Sequence, residues 1–420
     1  MRLFFACVCC SALLLGAATA AKSTKSTSNK STGKKRKVVR RAAPVPAKTK
    51  AAARAEIDRK MAAVEIGVEN PAALASYFSA LDHAAEKPLH VLQFGDSHTA
   101  SDDWVNAMRI AAQAVYGDGG PGFIHAGHPF LGYRRFDASG SNSTGWKTDG
   151  NKSHQDDPNQ GLAHISISTA TAGQTVHLAA SGESLGLFYL LQPGGGQFEI
   201  TIDDTTKSIV STAGDDPAPG YFLQQLTPGH HDITLRTMNF APVRLFGWAL
   251  DNSKGVTFET LGINGAWANR ILDTSEPIWA SELAARAPAL VILAYGTNEA
   301  NSALWNPEQY RADLTEIIAR IRRAAPGASI LMVGPPDCGK LKPLPHLSEV
   351  IDIQREIAGK QSVAFWDWRL HMGGARIVSD WMLAGLGQGD NIHLTGEGYR
   401  LIGNLLFTQI EKAHTESRHE

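Results

Sequence analysis

The sequence predicts an α/β fold with a central parallel sheet and an inserted antiparallel β domain. Two observations predict this architecture. Short, wholly apolar segments alternate with helical patterns near residue 90 and again after residue 253, as in parallel sheets covered on both faces by helices. Between residues 139 and 252, short segments of alternating polarity are separated by turns rich in Gly, Pro and Asp. That pattern is typical of an antiparallel β-sandwich.

The α/β elements follow one another along the chain on both sides of the insert. Apolar residues at helical spacing predict a helix over 55–81, with Asn70-Pro71 marking an N-terminus, and another over 100–115. The other predicted elements are strands over 89–94, 256–262, 289–294, 329–333 and 363–366 and helices over 267–272 and 307–323. Each strand is followed by a polar motif, and the site of such a sheet lies at the carboxyl ends of its strands.

The insert is predicted from segments in which polar and apolar residues alternate. The clearest of these segments are 164–168, 197–202 and 231–236, with turns such as 193–196 between them. Because the α/β pattern resumes afterwards, we predict an α/β domain in two parts, 56–138 and 253–420, around a jelly-roll-like β-sandwich at 139–252.

The first twenty residues predict a cleaved secretory signal. Arg2 precedes an apolar run from Leu3 to Leu15, and Ala18-Thr19-Ala20 resembles a cleavage site. The run is shorter than the roughly 20 residues of a membrane span. We therefore expect an exported protein, periplasmic or envelope-associated, with no transmembrane span in its mature chain. Cys338 would be its only cysteine, and we expect an inert buried thiol without a disulfide partner.

Residues 21–55 predict a flexible basic linker. They contain twelve Lys or Arg and no acid, so the near-neutral total of −1 conceals a charge of about −14 on residues 56–420. A solvated linker explains this composition. An electrostatic contact with an anionic envelope polymer or phospholipid headgroups is the alternative. Nucleic-acid binding is disfavoured because an export signal precedes the segment.

Two distant motifs supply a nucleophile and its base. Gly95-Asp96-Ser97-His98 follows the strand over 89–94, and Asp390-Asn391-Ile392-His393 lies near the end of the chain. Ser97 can attack only if its proton is removed, and an imidazole such as that of His393 does this near neutral pH. Asp390 can accept the other imidazole proton and orient the ring. The pattern predicts a serine esterase.

An oxyanion hole is predicted from donors at neighbouring strand ends. They are the N–H groups of Ser97 and Gly265 and the side-chain amide of Asn298, each worth roughly 3–4 kcal/mol of barrier. We expect no metal and no organic cofactor. His230-His231 has no third ligand at suitable spacing, and the glycine-rich segment 117–122 lacks the residues of a phosphate-binding loop. We expect the latter segment near the mouth of the site.

Several other residues have competing interpretations. Asp96 is a candidate helix cap, and His98 is expected to shape the turn or pocket rather than to serve as the base. Asp337 and Asp367 also follow strands but have no histidine close by in sequence, so loop or capping roles are favoured for them. Aromatic residues that could line a sugar or acyl pocket, or simply pack in a core, are Trp104, Trp267 and Trp305 in the α/β part and Tyr221 and Trp248 in the insert.

Four sequence blocks together carry a family resemblance. Gly95-Asp96-Ser97-His98, Asn264-Gly265, Gly296-Thr297-Asn298-Glu299 and Asp390-Asn391-Ile392-His393 resemble, in order, the blocks of the SGNH (GDSL-like) hydrolase superfamily. The resemblance spans roughly 85–138 and 253–412 and implies the three-layer SGNH fold. It also implies that Ser97 is the nucleophile, His393 the base and Asp390 the orienting acid, with Ser97, Gly265 and Asn298 forming the oxyanion hole.

The position of the insert narrows the resemblance. An insert between the first two blocks, with Gly262-Ile263-Asn264-Gly265-Ala266 as the second, is similar to bacterial peptidoglycan O-acetylesterases. In that family the insert resembles a carbohydrate-binding module, and the enzymes remove acetyl from the C6 hydroxyl of N-acetylmuramic acid. The third block departs from many members at Thr297 and Glu299. The alternatives are an O-acetyltransferase, which passes the acetyl to a sugar, and a catalytically idle wall-binding protein.

Overall fold

The computed structural model describes residues 45–150, 157–339 and 344–419. The predicted signal peptide, and the predicted linker as far as residue 44, lie outside these ranges. The described residues form a parallel sheet covered by helices and an antiparallel sheet of nine strands. The predicted α/β fold with an inserted β domain is therefore confirmed. No helix among the described residues is long and apolar enough to cross a membrane.

Five strands form the parallel sheet, in the spatial order β11-β1-β12-β13-β14. Their bounds are Pro88–Gly95 (β1), Gly255–Gly262 (β11), Leu290–Ala294 (β12), Ser329–Val333 (β13) and Ala364–Trp366 (β14). Every residue of β11, β12 and β13 is buried, so these strands lack the alternation of a half-exposed sheet. The predicted strand positions agree with these bounds to within a residue or so.

Helices cover both faces of the parallel sheet. Alternate side chains of β1 enter different cores: Val91 joins one buried cluster, and Leu92 joins the cluster on the opposite face. The result is a three-layer domain. The helices are Ala47–Ala62 (α1), Ala75–Leu81 (α2), Ser97–Ala100 (α3), Asp103–Tyr116 (α4), Arg270–Asp273 (α5), Glu276–Arg286 (α6), Thr297–Ala300 (α7), Pro307–Ala324 (α8), Leu347–Lys360 (α9), Trp368–His371 (α10), Val378–Leu383 (α11) and Gly396–Ser417 (α12).

The first described helix corrects two predictions. The end of the predicted linker is helical, because α1 already begins at Ala47 and buries Ala53 and Ile57. The single helix predicted over 55–81 is interrupted, since the backbone of Glu69 pairs with that of Phe365 at N···O distances of 2.8 and 3.0 Å. A short 3₁₀ turn over Pro71–Leu74 then leads into α2. Tertiary pairing with β14 has overridden the helical pattern of the sequence.

The antiparallel sheet starts earlier than predicted. Its strands are Gly122–His125 (β2), Ala138–Asn142 (β3), Lys147–Asp149 (β4), Ser166–Thr169 (β5), Thr175–Leu191 (β6), Gln197–Ile202 (β7), Thr206–Ser211 (β8), Ala218–Thr237 (β9) and Val243–Asp251 (β10). The predicted boundary at residue 139 places β2 in the first α/β part. Because β2 pairs with β10, it belongs to the antiparallel sheet instead. All four residues of β2 are buried, and so short an apolar segment shows no period-two pattern.

The nine strands are joined by hydrogen bonds into one sheet rather than two. The long pair β6 and β9 carries a register shift between Gly182 and Ser184, and such a bulge lets strands bend. Side chains from both halves of β6, such as Leu178 and Leu187, thereby join one buried cluster. Trp248 lies in this cluster without solvent exposure, so it cannot stack on a glycan.

The other face of the antiparallel sheet packs on the α/β layers. Phe123, Phe188 and Phe246 belong to the same buried cluster as Phe94 of β1. Tyr221, considered above as a glycan contact, is partly buried here, and its hydroxyl lies 3.0 Å from that of Ser281 on α6. The β domain and the hydrolase layers therefore share a hydrophobic core.

The glycine-rich segment 117–122 lies away from the strand ends that carry the motifs, contrary to the prediction. The N–H of Gly119 donates to the carbonyl oxygen of Val256 at 3.2 Å, and Asp118 bridges to the same residue. Val256 is near the start of β11, whereas the motifs follow the carboxyl ends of the strands. This loop therefore packs at the opposite edge of the sheet.

Glu282 is expected to make stability fall as the pH rises. It is fully buried on α6, one carboxylate oxygen accepts the N–H of Leu162 at 2.6 Å, and burial raises its pKa to about 8. Between the ordinary carboxyl pKa and pH 8, Glu282 is protonated in the folded chain and ionised in the unfolded chain. The free energy of unfolding therefore decreases as the pH rises through this range. In Glu282→Gln, an amide oxygen can still accept the Leu162 N–H.

We compare the free energy of unfolding of Glu282→Gln with that of the parent at pH 5 and at pH 8. The difference should shift by about 2–4 kcal/mol in favour of the variant between the two pH values. Urea unfolding of both proteins at the two pH values measures this. Other buried carboxyls titrate in both proteins, so the difference between the two pH dependences reports the titration of Glu282 alone. Identical pH dependence in the two proteins would contradict the prediction.

Candidate active site

The carboxyl ends of three neighbouring strands meet at one level. Gly95 at the end of β1 lies opposite Gly262 of β11 and Ala294 of β12. A Cβ atom on Gly95 would lie 2.2 Å from the Thr99 side chain, and one on Gly262 would lie 2.4 Å from the backbone nitrogen of Ala100. Only glycine permits α3 to fold back so closely over the strand ends. Ser97 begins that helix and is partly exposed at this edge.

The structure brings the two distant motifs together. Ser97 Oγ lies 2.8 Å from His393 Nε2, and His393 Nδ1 lies 2.7 Å from Asp390 Oδ2. With the Nδ1 proton donated to the carboxylate, Nε2 is left as an acceptor for the Ser97 hydroxyl. The arrangement can therefore deprotonate Ser97 as it attacks an electrophilic carbon.

The backbone of the motif fixes the carboxylate of Asp390. Its Oδ1 accepts the N–H groups of Ile392 and His393, each at 3.0 Å. Partial burial raises the pKa of Asp390, but hydrogen bonds from the His393 side chain and these two N–H groups outweigh it and hold the pKa below its usual value. The carboxylate stays charged at neutral pH. Its side chain is 45% exposed and that of His393 is 30% exposed, so water reaches both.

The ring of His98 packs against the ring of His393. The two ring centroids are 5.1 Å apart, and His98 Nδ1 lies 2.8 Å from the Tyr399 hydroxyl. Burial lowers the pKa of His98 to about 3, and the neighbouring His393 acts in the same direction. His98 is therefore neutral and adds no charge beside His393. The prediction that it shapes the pocket agrees with this position.

Asp96 caps the helix that begins at Ser97. Its Oδ1 accepts the N–H of His98 at 2.9 Å, as the capping alternative proposed. Burial raises the pKa of Asp96 to about 6, against the lowering effect of that N–H. The cap fixes the turn on which Ser97 is presented.

Three candidate hydrogen-bond donors lie in the turns that follow these strand ends. Among the described residues, no acceptor is bonded to the backbone N–H of Ser97 or to that of Gly265. Gly265 has φ +75°, a left-handed conformation that favours glycine, and its surroundings are open. Asn298 Nδ2 donates to the carbonyl oxygen of Ala266 at 2.9 Å, which uses one of its two N–H groups and orients the other.

Comparisons with known proteins agree with this geometry. A family model, the GDSL-like Lipase/Acylhydrolase family, matches residues 232–401. A solved peptidoglycan O-acetylesterase is 24% identical, with TM-score 0.69, and the match covers 81% of this chain and 96% of that one. The family-model match supports the resemblance to GDSL-like hydrolases over residues 232–401, and the solved structure shows that the chain shares its fold. The family-model match contains three of the four blocks, while the Ser97 block is separated from them by the β domain.

Other solved structures overlap less with this chain. A family two carbohydrate esterase from Cellvibrio japonicus is 10% identical, with TM-score 0.30, covering 66% of this chain and 99% of that one. A family two carbohydrate esterase from Clostridium thermocellum, in complex with cellohexaose, is 14% identical, also with TM-score 0.30, covering 63% and 98%. No curated protein sequence matches the chain.

Glu299 of the third SGNH block has a contact that the sequence did not reveal. Its Oε1 accepts the N–H of Ala268 at 2.7 Å, while Asn298 holds Ala266. The two consecutive side chains thus fix the backbone of residues 266–268, which directly follow Gly265. Burial raises the pKa of Glu299 to about 7, against the effect of that N–H. The sequence feature that could have indicated this contact is the glutamate at a position where many family members have aspartate, because the longer side chain reaches the Ala268 N–H.

The residues with competing interpretations take structural positions in the α/β domain. Asp337 accepts the N–H of Val378 at 2.9 Å, and Asp367 caps α10 and pairs with Arg355 at 2.6 Å. Cys338 is a buried free thiol whose pKa burial raises. Trp104 is fully buried in the core, with its ring centroid 5.0 Å from that of Trp368.

One group of potential metal ligands occurs among the described residues, away from the motifs. It consists of His90, Asp251 and Glu259. The guanidinium of Arg286 donates to Asp251 at 2.7 Å and to Glu259 at 2.5 Å, so a cation already balances both carboxylates. In the β domain, His231 bonds to Asp203 at 2.7 Å and to the Thr227 carbonyl at 2.8 Å. Both groups have their polar atoms satisfied by the protein.

Proposed function

We propose that this protein is a serine esterase that removes O-acetyl groups from cell-wall glycan. The observation that carries the proposal is the hydrogen-bonded chain from Ser97 through His393 to Asp390, with distances of 2.8 and 2.7 Å. The similar solved structure is a peptidoglycan O-acetylesterase, which supports O-acetylated peptidoglycan, acetylated at the C6 hydroxyl of N-acetylmuramic acid, as the substrate.

In the proposed reaction, Ser97 Oγ attacks the acetyl carbonyl carbon while His393 Nε2 accepts its proton. The charge that develops on the carbonyl oxygen is stabilised by the N–H groups of Ser97 and Gly265 and by the Asn298 amide. The tetrahedral intermediate collapses, and His393 returns the proton to the departing sugar hydroxyl. Water then attacks the acetyl-Ser97 ester, again with His393 as base, and releases acetate.

Exposure of the base favours water as the acetyl acceptor. The side chains of His393 and Asp390 are 30% and 45% exposed, so water can approach the acetyl-enzyme from solvent. Transfer of the acetyl group to a sugar hydroxyl would use the same acetyl-Ser97 intermediate. It differs from hydrolysis in that the acetyl group appears on the acceptor and not in free acetate. The signal-like residues 1–20 support action in the periplasm or envelope, and the basic segment 21–55 supports contact with an anionic envelope polymer.

Free acetate released from O-acetylated peptidoglycan tests the function. The chain without residues 1–20 is incubated with the polymer, with and without a soluble sugar acceptor, and acetate in solution and acetyl on the acceptor are both quantified. We expect acetate release that is unchanged by the acceptor. Acetyl appearing on the acceptor would indicate a transferase, and no release would reject this ester as the substrate.

Loss of one oxyanion donor should slow the reaction strongly. Asn298→Ala removes the amide N–H aimed at the developing charge, and we expect kcat to fall roughly 10²–10³-fold with a smaller effect on KM. Initial rates with p-nitrophenyl acetate measure this. Asn301→Ala, an exposed asparagine just after α7, is the matched control. A kcat for Asn298→Ala within a few-fold of the parent would exclude the amide from the oxyanion hole.

A further inference from the structure

A pocket adjoins the turn that carries Gly265. It is a small, open cleft formed by the turn after β11, the segment after β12 and the start of α8. We propose that this pocket binds a sugar residue of the glycan chain beside the acetylated one. This inference rests on the proposed function, because it assigns a subsite to the same substrate.

Aromatic rings form one side of the pocket. Trp267, Trp305 and Tyr310 line it, and the exposed side chain of Leu304 lies at its edge. Trp305 is held in place, since its ring centroid lies 5.5 Å from that of His346 in a stacked arrangement and its Nε1 donates to Glu349 at 2.7 Å. A fixed, partly exposed indole presents a flat apolar face, which suits the C–H face of a pyranose ring.

A buried carboxyl with a free oxygen forms the polar side. Glu299 is 3% exposed and lines the pocket, and only its Oε1 is bonded, to the Ala268 N–H. Among the described residues, Oε2 has no hydrogen-bond partner. A buried polar atom without a partner is costly, so a ligand hydroxyl or amide that reached Oε2 through the cleft would gain a hydrogen bond there. Gln309 and Asp313 add further polar groups on α8.

The position of the pocket connects it to the reacting centre. Trp267 is two residues beyond Gly265, so their Cα atoms lie within about 7.6 Å, and Glu299 directly follows Asn298. The pocket therefore adjoins two of the proposed oxyanion donors, so a glycan whose acetyl group reaches Ser97 would pass beside it.

Binding without turnover tests the inference. The Ser97→Ala chain is titrated with a β-1,4-linked tetramer of N-acetylglucosamine, and tryptophan indole NMR signals report the contact. We expect the Trp267 and Trp305 signals to shift. In this background, Trp305→Ala should weaken the affinity about tenfold, as followed by the Trp267 signal, because the stacking surface is lost. Trp305→Phe should recover most of the affinity.

The control is Phe240→Ala, which removes another exposed aromatic ring, 83% exposed, from the β domain. It should bind like the Ser97→Ala parent, and thermal unfolding confirms that each variant is folded. Absence of shifts at Trp267 and Trp305, or equal affinity after Trp305→Ala, would overturn the inference. Binding is measured in the Ser97→Ala background and acetate release with the parent chain. A failure to bind the tetramer would therefore overturn only the subsite and not the proposed esterase activity.

Discussion

Replacing Ser97 with alanine should reduce acetate release from O-acetylated peptidoglycan roughly 10⁴–10⁶-fold, to the background of the assay. The methyl group cannot attack the acetyl carbon, so no acetyl-enzyme forms even though His393 and Asp390 remain in place. Folding should change little, because the hydroxyl makes one hydrogen bond at 2.8 Å, worth about 1 kcal/mol. Initial rates with polymer and with p-nitrophenyl acetate, together with urea unfolding, measure both effects.

Ser101→Ala is the matched control for this change. Ser101 follows the same short helix, and its hydroxyl makes only a long contact of 3.4 Å with the His98 carbonyl oxygen. Its activity should stay within about twofold of the parent, as is usual for substitutions away from a site. Mass spectrometry after mixing with substrate adds a direct check, since an acetyl group should appear on the parent and not on Ser97→Ala. Substantial turnover by Ser97→Ala would assign the nucleophile elsewhere.

The hydrolase elements were predictable because buried parallel strands leave a strong sequence signal. Segments such as 289–294 and 329–333 are wholly apolar, and polar motifs follow them directly. The register of the sheet then brings Gly95, Gly262 and Ala294 to one level. The order of strands therefore places the first three motifs at one edge of the sheet. His393 follows no strand, and its pairing with Ser97 was predicted from the chemistry of a serine nucleophile that needs a base; the structure places the two side chains 2.8 Å apart.

Features that depend on tertiary contacts were not predictable. The break between α1 and α2 results from pairing of Glu69 with Phe365, which are almost 300 positions apart in sequence. Strand β2 belongs to the antiparallel sheet only because it pairs with β10. Likewise, the sequence presented Trp104, Trp267 and Trp305 as equivalent candidates. Packing alone places Trp104 in the core and the other two around a pocket.

Replacing Asp390 with asparagine should lower kcat roughly 10³–10⁴-fold while leaving the fold intact. The amide oxygen can still accept the N–H groups of Ile392 and His393, now bonded to Oδ1 at 3.0 Å. The NH₂ group then faces His393 Nδ1, which must become an acceptor. The ring proton moves to Nε2, the atom 2.8 Å from Ser97 Oγ, and the base can no longer take the serine proton.

The tautomer explanation makes a sharper prediction than loss of activity alone. Imidazole ¹⁵N NMR should show His393 protonated at Nδ1 in the parent and at Nε2 in Asp390→Asn. Asp337→Asn tests the rival acid after β13, whose carboxylate accepts the N–H of Val378, and its kcat should stay within about threefold of the parent. If Asp390→Asn kept near-parental kcat with an unchanged tautomer, another group would have to orient His393. Because Asp390 Oδ2 is 2.7 Å from Nδ1 and backbone N–H groups fix Oδ1, the geometry favours Asp390 for that role.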